Sequence, residues 1–289
     1  MAIPVSVGSE GAAALRRRLL SLEEAVSADV LGVFGIIRPG VERDIRDQLE
    51  IMASAKEKLR PRLAVVLTTP GGVVEVTERI VAVLRHFYGE VAFYIPDIAF
   101  SAGTVLAMSG DQIWMDYFSC LGPIDPQVER DGKYVPALSY LSQYDRLVAK
   151  AQAKTISEAE FLIMRGFDQA ELHLFEKARD LSVSLLKGWL AQYKFKDWVQ
   201  TESSKKQVTQ QMREERAEAV AKLLMDHERW GSHGRGIGMK VLREKLNLRI
   251  DDFGEVKNLA PLLRDYATLA MDVMLRSNWH SMVSCRGDQ

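Results

Sequence analysis

Cysteine is nearly absent. Cys120 and Cys285 are the two in 289 residues, and they lie far apart. That spacing excludes a disulfide framework and a cysteine metal motif, and it reads as two reduced thiols of a cytosolic chain. An excess of one charge is missing too. The formal net charge is −1, so the totals carry neither a nucleic-acid footprint nor a patch for acidic membranes. No run approaches the roughly 18–20 apolar residues of a membrane span. Arg16–Arg18 followed by Leu19 and Leu20 imitates the start of a signal peptide, but Glu23 and Glu24 cut the apolar run short. The expectation is a soluble, cytoplasmic protein. Internal repeats and low-complexity tracts are also missing. What remains is 47% hydrophobic and 27% charged residues, the composition of a globular chain long enough for one large domain or two modest ones.

Periodicity organises the first half. "DVLGVFGII" (29–37), "RLAVVLTT" (62–69), "EVAFYIP" (90–96) and "QIWMD" (112–116) are apolar runs of strand length. Between them, residues 41–59, 73–88 and 101–109 carry helical spacing, as in Val41, Ile45, Leu49 and Met52. Strands alternating with helices predict βαβ units and an α/β fold with a mostly parallel sheet. Residues 137–228 are nearly free of glycine and proline and predict two or three long helices, with 201–216 the most polar piece. "ERWGSHGRGIGMK" (228–240) then places four glycines in a loop whose backbone approaches something closely. A helix over 240–246, a strand over 248–250 and an amphipathic helix over 259–282 complete the prediction.

Three loops at the C-terminal ends of predicted strands hold the candidate chemistry, at the edge where open parallel sheets place ligands. "TTPGGVVE" leaves backbone amides free to face an anion or oxyanion, or is simply a tight turn; it lacks the Lys-Ser/Thr pair of a phosphate loop. In "IAFSAGTVLAMSG", Ser101 opens a helix, either as a plain N-cap or as an exposed nucleophile beside those amides. In "LGPIDPQV", Asp125 stands between two prolines, stiff enough to orient a histidine or to cap a turn.

The order strand–"TTPGG"–helix–strand–"FSAGT"–helix–strand–"LGPIDPQ", with "RWGSHG" much later, resembles the serine dehydrogenase proteinase family over about residues 29–250. That family is related to the Clp-type peptidases and signal peptide peptidase A, in the Clp/crotonase fold group. The resemblance implies a Clp/crotonase-like ββα-type core at 29–135 and 229–255, an N-terminal helix or arm at 1–28, a helical insertion at 136–228 and a C-terminal helix at 256–289. It implies a serine endopeptidase with Ser101 as nucleophile, Asp125 as orienting acid and His233 as general base. Gly71, Gly72 and the backbone amide of Ala102 would form the oxyanion hole. It implies no cofactor or metal, a peptide or protein substrate and a homo-oligomer, while the long helices expected over 137–228 offer a surface for a regulatory partner.

Two departures from relatives bear on the base. Some use a Ser–Lys dyad, but the nearest equivalent position here is Ser142, and Lys133 and Lys150 are poorly spaced. Clp-type peptidases place their histidine where this chain has Ile124-Asp125-Pro126. His233 is therefore the expected base, with His227 its competitor; His86, His173 and His280 lie on helices or in the tail. Two alternatives stay open: a crotonase-like acyl-thioester enzyme, in which the amides hold an enolate, and a non-catalytic scaffold. Trp189, Trp198, Trp230 and Trp279 are expected as packing anchors rather than a substrate cage.

Overall fold

The computed structural model describes residues 9–54, 59–125, 127–130, 133–201, 205–232 and 234–287. Its main sheet has six strands in the order β10-β5-β3-β2-β1-β11. After α1 (Ser9–Val26), the chain runs β1 (Asp29–Gly35), α2 (Val41–Ser54), β2 (Arg62–Thr68), α3 (Val74–Phe87) and β3 (Glu90–Tyr94). Next come β4 (Ile98–Ala99), α4 (Ala102–Ala107), β5 (Gln112–Met115) and β6 (Cys120–Leu121). β1, β2, β3, β5 and β10 (Asp251–Asp252) pair in parallel, as the alternation of apolar runs and helices predicted.

The strands are apolar on both faces because both are covered. Leu63, Val65 and Leu67 of β2 face one core with Ile45, Leu49, Ile80 and Leu84 of α2 and α3. Ala64 and Val66 face a second core with Leu15, Leu19 and Leu22 of α1 and Leu263 and Tyr266 of α11 (Leu259–Arg276). Small residues admit the second layer: a Cβ on Gly32 would collide with the Tyr266 hydroxyl and the Phe34 ring. Phe93 is fully buried, and its loss to alanine costs about 3–5 kcal/mol. The amphipathic face of the last helix thus packs within its own chain.

Beyond the sheet lie the hairpin β7 (Gln127–Arg130) and β8 (Lys133–Pro136), then α5 (Ala137–Gln152), α6 (Glu158–Arg165) and α7 (Gln169–Trp189). A π-helical turn (Leu190–Lys194), α8 (Gln210–Leu224) and α9 (His227–Trp230) follow, with β9 (Ile237–Gly238) and α10 (Met239–Leu246) leading back to the sheet. These helices pack in two parts. Ala137, Leu141, Leu172 and Phe175 form a satellite core, while Leu186, Leu190, Val220 and Leu224 join the core beneath α3 and α4. Trp230 is buried there, and Trp189 and Trp198 pack against it, while Trp279 packs against the α1–α11 core.

Two predicted ends are corrected. The strand expected at 248–250 forms at Asp251–Asp252, where β10 pairs with Trp114–Met115. The last helix stops at Arg276, not 282. Asn278 adopts φ 54°, a turn, and the chain then forms β11 (Ser281–Cys285), antiparallel to β1.

Candidate active site

β2 and β4 deliver the first two loops to one place. Thr69 bridges Ala99, and Gly71 and Gly72 then turn with φ of 107° and 148°, a backbone that glycine tolerates best. A Cβ on Gly71 would lie 2.8 Å from Ser101 Cβ and 3.4 Å from the Ala102 nitrogen, so the turn rests directly on the serine loop. The Gly71 amide donates to Thr69 Oγ1 at 3.0 Å, and the Gly71 carbonyl accepts from the Ile37 amide at 2.9 Å. Among the described residues, the Gly72 and Ala102 amides have no protein acceptor.

Ser101 stands at the entrance of α4 with φ 51° and ψ −117°. A side chain at positive φ is strained, by roughly 1–3 kcal/mol, and persists only where its surroundings enforce it. The enforcement is visible. Gly103 N donates to Phe100 O at 2.8 Å and Val105 N to Ser101 O at 3.1 Å. The Thr104 hydroxyl sits 2.7 Å from Ala99 O and 2.9 Å from Gly122 O and accepts from Gly122 N. The serine makes no N-cap bond. Its Oγ instead donates to the backbone carbonyl of Asp125 at 3.3 Å. Ser101 is itself buried, 4% exposed, where the sequence suggested an exposed hydroxyl. A strained serine on a strand-to-helix turn, with its hydroxyl not engaged in capping, is the geometry of a nucleophile turn.

Asp125 is buried, and its Oδ1 accepts from the Leu138 amide at 2.9 Å, in the first turn of α5. The acid predicted to hold a base is therefore also bonded to the start of α5.

His233 lies outside the described residues. The loop around it leaves from and returns to the stretch that carries Asp125. Upstream, Ile124 N donates to Leu224 O at 3.0 Å. Downstream, β9 pairs Ile237 with Leu121 and Gly238 with Cys120, in the same three-stranded sheet as β4. Of the loop's glycines, Gly236 makes the close approach foreseen: a Cβ there would sit 2.8 Å from Cys120 Sγ. His227 begins α9. Ser142 is exposed and bonded to Ser139 O, and Lys150 is paired with Glu160 at 2.5 Å. Burial, with the Asp97 carboxylate adding, pushes the Cys120 thiol up, so it stays neutral and a poor rival nucleophile.

Thr69 and Thr104 are site residues that the motif reading passed over, although both stand inside "TTPGG" and "SAGT". No cluster of three or more His, Cys, Asp or Glu suited to a metal occurs among the described residues. No helix among them is long and apolar enough to cross a membrane.

Residues 31–209, more than half of the chain, match the family described as ClpP-like SDH-type serine proteinase. Two uncharacterised proteins of Methanocaldococcus jannaschii are similar in sequence. One is 30% identical over 139 residues, 47% of this chain and 45% of that protein. The other is 32% identical over 162 residues, 52% of this chain and 54% of that protein. The chain thus spans about half the length of the curated relatives it matches. Among solved structures, a variant of the 1510-N membrane-bound stomatin-specific protease aligns at TM-score 0.46 and 12% identity, over 81% of this chain and 82% of that one. A second variant, in complex with a substrate peptide, aligns at 0.45 and 13%, over 78% and 76%.

Proposed function

The chain belongs to the ClpP-like SDH-type serine proteinase family, and from that premise we propose that it is a serine endopeptidase working through an acyl-enzyme on Ser101. The observation that carries the proposal is the strained, uncapped Ser101 beside two amides without protein acceptors. In this reading Ser101 Oγ leaves its bond to Asp125 O and attacks the substrate carbonyl carbon, while His233 accepts the hydroxyl proton. The oxyanion sits between the Gly72 and Ala102 amides. Collapse breaks the C–N bond, His233 gives its proton to the departing amine, and water then releases the acyl group by the reverse sequence of proton transfers.

Gly71, first expected among the oxyanion donors, takes a different part, because its amide already donates to Thr69 Oγ1. It is the residue without a side chain that lets the turn reach Ser101. Asp125 orients His233, and the two anchors of the 225–236 loop on residues 120–125 support that assignment. An extended peptide would lie beside the Gly71–Val74 segment by strand addition. The family resemblance further supports a homo-oligomer without a metal or organic cofactor, and the two free, distant cysteines support a reducing, cytoplasmic setting.

The test is hydrolysis of a fluorogenic peptide library by the full chain and by Ser101→Ala, His233→Ala and Asp125→Asn. Each variant should lose about 10³-fold or more in turnover, and losses in double variants should not multiply. Full turnover in Ser101→Ala would overturn the proposal, and full turnover in His233→Ala would move the base elsewhere.

A further inference from the structure

Thr69 is fully buried and touches three parts of the site at once. Its backbone joins β4, with Thr69 N donating to Ile98 O at 2.9 Å and Phe100 N donating to Thr69 O at 3.0 Å. Its hydroxyl accepts from the Gly71 amide at 3.0 Å and lies 3.4 Å from Gly71 O, a side-chain-closed turn across Pro70. Its methyl occupies the space where a side chain at position 103 would stand: a Cβ on Gly103 would collide with Thr69 Cγ2, whereas Ala99 Cβ and Thr69 Cβ would be at ordinary contact, 3.5 and 3.7 Å.

The two candidate oxyanion donors flank these contacts. The Gly72 amide is one peptide beyond Gly71, which the hydroxyl holds. The Ala102 amide is one peptide before Gly103, which the methyl meets. We infer that Thr69 is the positioning residue that fixes the spacing between the two halves of the oxyanion hole, with hydroxyl and methyl each setting one half. The inference rests on the peptidase reading for its catalytic consequence, and on packing alone for its geometry.

The chemistry explains why threonine stands there. Serine keeps the acceptor for Gly71 but drops the wedge against Gly103. Valine keeps the wedge but leaves the buried Gly71 amide without its acceptor, so the turn must shift and carry the Gly72 amide with it. Donors aimed at an oxyanion act through preorganisation, and displacement of about 1 Å is enough to cost roughly a hundredfold.

Inactivation of the full chain by a fluorophosphonate, whose phosphoryl oxygen enters the hole, separates these roles. Thr69→Val should lower the maximal inactivation rate about tenfold to a hundredfold and leave the half-saturating probe concentration within about threefold. Thr69→Ser should lose less than about fivefold. Gly103→Ala should react slowly and melt early. Thr69→Ser combined with Gly103→Ala should recover both properties nearly to the level of Thr69→Ser, because the colliding methyl is gone. A general structural role would instead lower rate and melting temperature to the same extent in Thr69→Val and Thr69→Ser, with no rescue by serine. A Thr69→Val chain that reacts at the wild-type rate overturns the inference, as does a double variant no better than Gly103→Ala. If the wild-type chain does not react at all, the peptidase reading fails with the catalytic half, and the melting temperatures of Thr69→Ser, Gly103→Ala and their combination still decide the packing half.

Discussion

Lys194 closes the π-helical turn against the sheet, with its Nζ 3.5 Å from the Asp111 carbonyl. Burial pushes its pKa down to about 8; Asp251 and Asp111 pull it back up and Arg249 opposes them. An unfolded lysine titrates near its ordinary 10.5. Between about pH 8 and 10.5 the unfolded chain therefore binds a proton that the native chain has released, and stability rises with pH across that window. At pH 7 both states are protonated, and the native state bears the cost of the half-buried ammonium, at most about 3 kcal/mol at about 1.4 kcal/mol per pH unit. Lys194→Met keeps the stem and removes the charge. It also loses the bond to Asp111 O, so the expected gain at pH 7 is about 1–3 kcal/mol. Asp111 keeps Arg85 at 2.8 Å and Lys196 at 2.5 Å, so no carboxylate is stranded. Urea denaturation of both proteins at pH 7, 8, 9 and 10 reads the difference directly, with the slopes showing whether the unfolded states match. The advantage of the variant should shrink steadily above pH 8. A variant less stable at pH 7, or an advantage constant from pH 7 to 10, refutes the reasoning.

Ser101→Gly should raise the denaturation free energy by about 1 kcal/mol, because glycine accepts φ 51° without strain, while abolishing reaction with active-serine probes. A destabilised Ser101→Gly would show that the strain is absent. Gly72→Ala meets the Ile37 carbonyl and a φ of 148°, and should cost about 3 kcal/mol by denaturant midpoint; an unchanged midpoint would contradict the turn described. Arg286→Ala should cost about 3 kcal/mol, since it strips the fully buried Asp29 of a partner at 2.7 Å. Arg286 also offsets the burial that already raises the Glu23 pKa, so in the variant Glu23 should hold its proton to higher pH. The native state then binds more protons than the unfolded chain, and the variant should lose further stability as pH rises above about 4.5, as read by thermal melts at increasing pH.

The parallel sheet could be read from the sequence because runs such as Leu63–Leu67 are apolar at every position, which only a strand covered on both faces requires. β11 escaped notice for the opposite reason. Helical spacing runs on through Met274, the only local stop is Asn278, and Ser281–Cys285 becomes a strand by pairing with β1 some 250 residues earlier in the chain. β10 is likewise set by its neighbours: Asp251 and Asp252 have little strand preference of their own. At the site, residue types pointed to Ser101 and the Gly-Gly turn, but a serine that caps a helix and one held at positive φ have the same letters. Which of the two glycine amides stays free was also invisible, because it depends on where the Thr69 hydroxyl points.

The central claim is that the Ser101 hydroxyl, held in a strained turn beside the Gly72 and Ala102 amides, is the nucleophile. Incubating the full chain with a fluorophosphonate and mapping the adduct by peptide mass spectrometry addresses it most directly. A single adduct on the peptide containing Ser101, lost after heat unfolding, is the predicted result. A native chain that stays unlabelled, or carries its adduct on another residue, contradicts the claim.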